Sequence, residues 1–154
     1  MPDDQFLEDS PYSATFLVEV DGQAVGQFRD VSGLELTVAT EDIVEGGQNG
    51  YVHKVPGRMS WPNITLSRGI TQNDRFFSWV QESSGEGFAG KGNKIGRATV
   101  AVVMTSQQGK RLRTWELEGA FPVRWKGPQF SSDGSDNLTE EIEITHHGFK
   151  ATTH

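Results

Sequence analysis

The chain has 154 residues, no cysteine, and 14 basic against 21 acidic side chains, for a net charge of −7. The length suits one domain. The acidic balance excludes a phosphate-tracking nucleic-acid surface and an anionic-membrane surface, and the missing cysteines exclude a disulfide framework, a thiolate metal site and a Cys nucleophile.

Hydrophobic residues make up only 34% of the chain, and glycine is abundant at 18. That combination fits short strands, tight turns and a subunit that completes its burial against partners. The leader Met1–Pro11 is acidic and lacks the basic flank and apolar run of a signal peptide. No apolar run approaches the roughly 20 residues of a membrane span. Cytoplasmic assembly is expected, with any exit by lysis or a dedicated route.

The first strand is predicted over Ser13–Val20, with Phe16, Val18 and Val20 on one face. Asp21-Gly22 makes a tight turn, and the chain returns through Ala24, Val25 and Phe28. Gly33 interrupts the pattern as a bulge or close backbone approach. Leu34, Leu36 and Val38 then resume alternation and lead into a hairpin arm over residues 40–56.

The arm turns over at Gly46-Gly47-Gln48-Asn49-Gly50, where Asn-Gly signals a hairpin because both positions favour positive φ. Ile43, Val44, Val52 and Val55 are interspersed with Glu41, Asp42, Glu45, His53 and Lys54, so neither arm can bury a face alone. An isolated two-stranded hairpin is marginal in water, and its open backbone edges invite pairing with another chain. A neighbouring copy of the protein is therefore expected to stabilise it. Gly46, Gly47, Asn49 and Gly50 are assigned to turn geometry. Glu45, Tyr51 and Lys54 complete the candidate contact between copies.

A strand follows over Trp61–Leu66. Thr71 caps a helix through Val80, with Asp74 in a weak capping box and Phe76, Phe77 and Val80 in one buried stripe. The glycine-rich stretch 83–96 is a loop. Thr99–Thr105 and Leu112–Trp125 are partner strands, the second with Trp115, Leu117, Phe121, Val123 and Trp125 on one face and a bend or bulge at Gly119 and Pro122. A last strand, Leu138–Phe149, turns Leu138, Ile142 and Ile144 inward, and Lys150–His154 is a short tail. The elements predict a mainly β single domain over residues 1–154: a small antiparallel β-barrel with one flanking helix and an extended hairpin.

Six segments occur in order: VSGLE (31–35), EGG-QN (45–49), KVPG (54–57), ITLSRG (64–69), W-L-GAFPVRWKGP (115–128) and EIEITHHGF (141–149). Together they resemble the tube proteins of contractile phage tails and phage-tail-like injection particles, a family structurally similar to the inner-tube protein of type VI secretion. The resemblance implies a non-enzymatic subunit without cofactor. It implies six-copy rings whose strands join around a lumen, stacked into a tube inside a contractile sheath. The hairpin would reach the neighbouring ring. Sheath, baseplate or spike, and terminal cap proteins would be partners, with cargo in the lumen.

Other constellations have plainer readings. Gly85–Gly92 nearly spells a phosphate loop, but Gly92 replaces the Mg²⁺-binding hydroxyl residue and the stretch follows a helix. His146 and His147 point to opposite faces of a strand, so they do not share a metal. Glu140, Glu141 and Glu143, with Asp133 and Asp136, read as a solvated acidic face. Glu141 and Glu143 would repel nucleic acid or acidic cargo if that face lined a lumen. Trp61, Trp79, Trp115 and Trp125 read as packing residues. In the competing reading they stack sugars in a monomeric β-barrel module that binds a small ligand or glycan.

Overall fold

A computed structural model describes residues 15–47, 50–70, 74–84, 96–134 and 138–154. The expected Ser13, the Thr71 cap, the 85–92 loop and Asp136 lie outside these. Ten strands and one helix are described: β1 Thr15–Val20, β2 Gln23–Phe28, β3 Asp30–Ser32, β4 Thr37–Ile43, β5 His53–Ser60, β6 Ile64–Gly69, α1 Arg75–Ser83, β7 Ala98–Thr105, β8 Arg111–Lys126, β9 Thr139–Thr145 and β10 Phe149–Thr153.

The main antiparallel sheet runs β2-β1-β7-β8-β9-β6-β3, with β10 on the free side of the first half of β8. Its two end strands, β2 and β3, are separated in sequence by Arg29 alone. The Arg29 backbone N–H donates to Ser67 O on β6 at 3.0 Å. The sheet thus curls until its first and last strands are one bent segment, a barrel-like arrangement whose hydrogen-bonded strand order stays open between β2 and β3. Strands β4 and β5 form a separate two-stranded sheet.

Alternating apolar residues fill the barrel: Val18, Ile64, Leu66, Val100, Val102, Leu117, Ile142 and Ile144 are all buried. Phe16 and Val20 pack against this core from β1. The β1–β2 turn forms because Asp21 and Gly22 both adopt positive φ, 49° and 81°. The Asp21 backbone donates to Thr99 O, and its carboxylate accepts from Thr99 N–H. Helix α1 lays Phe76 edge-on against Phe28 (centroids 4.9 Å apart) and Phe77 against Trp125. Asp74 stands at the N-cap but makes no side-chain capping bond. Phe77 stays more exposed than the predicted stripe required.

Strand β8 departs from simple alternation. Leu117 is buried, but at Gly119 (φ 58°) the phase slips. Ala120 and Pro122 then face inward, while Val123 is 45% exposed. A second irregularity between Pro122 and Arg124 returns Trp125 toward the protein. These irregularities, with a third near Leu112 opposite Met104 and Thr105, let the strand pair with β7 and β10 in its first half and β9 in its second.

The C-terminal region also differs from expectation. The single strand predicted to Phe149 is two, β9 and β10, broken at 146–148. Residues 149–153, expected as the end of that strand and a tail, pair with β8, and Lys150 Nζ lies 3.0 Å from Glu118. Hydrogen bonding to Glu118 and its charge hold the Lys150 pKa above its ordinary value. Leu138 is exposed because β9 begins only at Thr139. Leu36 and Val38 are exposed as well, because β4 leaves the barrel before it starts.

Candidate functional site: the projecting hairpin

Strands β4 and β5 pair from Thr37↔Ser60 to Ile43↔His53, with an irregularity between Val38 and Thr40. The arm is therefore longer at its base than residues 40–56. Every residue in the two strands is exposed except Gly57, which is half-buried. Gly57 has Ala39 O 3.2 Å from where a Cβ would stand.

Pairing ends at Ile43↔His53, so Val44, Glu45, Tyr51 and Val52 lie outside the ladder, beyond the turn expected at Gly46–Gly50. Gly47 has φ 89°, in the left-handed region where a glycine is favoured. Asn49 lies outside the described residues. Glu45 and Tyr51 converge on His53: the Glu45 carboxylate is 3.7 Å from its Nε2, and the Tyr51 ring is edge-on at 4.9 Å. Lys54 is the cross-strand neighbour of Asp42.

Apolar side chains crowd this exposed arm. Val44 is 80% exposed and Tyr51 59%, with Ile43, Val52, Val55 and Met59 also open to solvent. These six exposed apolar side chains on one short hairpin make the arm a candidate contact surface.

The acidic row divides into two environments. Glu141 and Glu143 face outward, and Arg124 Nη1 lies 3.8 Å from a carboxylate oxygen of each. Asn63 Nδ2 donates to Glu143. Glu140, expected on a solvated face, is instead buried opposite Arg68 on β6. Arg68 Nε donates to Glu140 at 3.0 Å, Trp125 Nε1 donates to its other oxygen at 2.7 Å, and the guanidinium lies over Phe28 and Phe76. The β9 alternation already placed Glu140 in phase with Ile142 and Ile144; that was the missed signal.

Among the described residues no three His, Cys, Asp or Glu side chains come together as a metal set, and no helix is long and apolar enough to cross a membrane. An open cleft between α1 and the β1–β2 turn is lined by Val20, Asp21, Gln23, Val25, Trp79 and Glu82.

Compared with family models, residues 13–150 match the T4-like virus tail tube protein gp19. The chain belongs to that family. It is a tail tube protein, a structural subunit of an inner tube. Among solved structures it is similar to a chain of the extracellular contractile injection system PVC, in its extended sheath-tube complex. There the TM-score is 0.76 and the identity 23%, over 100% of this chain and 99% of that one. A chain of the PVC sheath/tube terminator matches with TM-score 0.72 and 25% identity, over 90% and 93%. Hcp1 from Flavobacterium johnsoniae shares the fold at TM-score 0.51 and 14% identity, over 91% and 96%. Compared with curated proteins, the chain finds no match.

Proposed function

We propose that six copies close into a ring, that rings stack head to tail into a hollow tube, and that a contractile sheath drives this tube forward. The role is mechanical and involves no catalysis. Sheath, baseplate or spike, and cap proteins are the further partners, by analogy with the sheath-tube, baseplate and cap assemblies to which the fold is similar. Assembly takes place in the cytoplasm, before the particle is released or fired.

The observation that carries this reading is the arm. It has open strand edges and exposed apolar side chains, and every residue of β4 and β5 except Gly57, which faces Ala39 and Glu41 of the arm itself, stays exposed. A neighbouring ring is the occupant that the tube architecture provides. Glu45, Gly46, Gly47, Asn49, Gly50, Tyr51 and Lys54 form the inter-ring contact. The outward pair Glu141 and Glu143 is the candidate lumen strip, its charge partly offset by Arg124.

The glycan-binding alternative has less support. Trp61, Trp115 and Trp125 are half-buried, and Trp125 is occupied by Glu140 and Phe77. Electron microscopy of the full chain and of a Gly46–Gly50 deletion tests the tube reading. The full chain should give tubes and the deletion isolated rings. A monomeric full chain at high concentration would contradict it.

A further inference from the structure

The two legs of the arm leave the barrel at Gly33 and Asn63, where they are pressed together. Gly33 has φ 90°, and a Cβ placed on it would lie 2.2 Å from the Asn63 carbonyl oxygen. This is contact with backbone, which cannot swing aside as a side chain can. Just beyond, Glu35 N–H donates back to Gly33 O at 2.8 Å and tightens the first leg.

The second leg is gripped by the bend between β9 and β10. His146 is buried there, and its Nδ1 accepts from Gly148 N–H at 3.0 Å. With a lone pair committed on Nδ1, the neutral ring carries its proton on Nε2. Nε2 then donates to Pro62 O, also at 3.0 Å. Gly148, at φ 128°, lies flat on the Trp61 indole: its missing Cβ would be 3.0–3.1 Å from three ring atoms. Phe149 meets the same indole edge-on at 4.9 Å, and Asn63 Nδ2 bonds Glu143 on β9.

We propose that this cluster is a clamp that sets the direction of the arm and hence the spacing and rotation between successive rings. Trp61, Gly33, His146 and Gly148 are its positioning residues. The inference rests on the reading that the arm couples rings. Leverage makes the root decisive. At about 3.4 Å per residue, an arm of about 30 Å turned by roughly 10° at its base moves its tip by about 5 Å. That exceeds the roughly 4.0–4.5 Å separation that defines a side-chain contact. The contacts at the root tie the legs to the β9–β10 bend; Phe149 also packs against the barrel core, whereas Trp61, Gly33, His146 and Gly148 are not part of that core.

His146→Ala and Gly148→Ala attack the clamp without touching the tip. His146→Asn is the finer probe, because its side-chain oxygen keeps an acceptor near Gly148 N–H but no group reaches Pro62. The three are compared with wild type and the Gly46–Gly50 deletion. Circular dichroism reports the fold, sizing chromatography ring formation, and electron microscopy tube length and helical rise and twist. The clamp predicts folded, ring-forming variants whose tubes are at least tenfold fewer or have altered rise and twist. His146→Asn should share that defect. Tubes of wild-type number and helical parameters from all three variants overturn the clamp. Loss of the barrel fold in all three also overturns it, since the cluster would then be a part of the barrel's stability. If the Gly46–Gly50 deletion still stacks normally, the arm reading itself fails, a result distinct from failure of the clamp.

Discussion

The barrel and the arm are built from similar residue types and end in opposite states. In the barrel, Ile64, Leu66, Ile142 and Ile144 are buried against one another across paired strands. In the arm, Ile43, Val55 and Met59 stay open to water even though β4 and β5 are paired with each other along most of their length. Two strands have no second layer to close over them, so hydrogen bonding alone does not bury a face. The difference teaches where this protein is self-sufficient: the barrel completes itself, and the arm is left for another copy.

Substitutions should separate the two regions. The largest effect is expected at the buried ion pair. Glu140→Ala removes the buried carboxylate that receives both Arg68 Nε and Trp125 Nε1, and should cost about 3–5 kcal/mol in denaturant unfolding. Next is Ile144→Ala, which opens a cavity in the core and should cost about 2–5 kcal/mol by the same measurement. Smallest is Val52→Ser together with Val55→Ser on the arm. Barrel stability should change by no more than about 0.5 kcal/mol per substitution, while tube yield by microscopy falls. An arm change that unfolds the barrel, or a Glu140 change that does not, would erase the contrast between the two regions.

Much of this was legible in the residues. Period-two alternation placed Val18, Leu117, Ile142 and Ile144 inside, and Asp21-Gly22 marked its turn, because a strand with one buried face writes that face into every second position. The arm was legible for the opposite reason: its apolar and charged residues never segregate. What escaped depended on tertiary pairing. Phe121 and Val123 were assigned to the Leu117 face because period two cannot see the phase slip at Gly119. Glu140 looked solvated because its partner Arg68 is 72 residues away in sequence. The root of the arm was hidden in the same way, since nothing local to Trp61 announces that His146 and Gly148 will meet it.

The most direct test of the account is backbone hydrogen exchange of residues 37–60, measured on the protein as assembled tubes and as dispersed subunits. The account predicts that amides along the outer edges of β4 and β5 and at the tip become protected only in tubes, with β7, β8 and β9 equally protected in both states. Equal, rapid exchange of the arm amides in both states would contradict it.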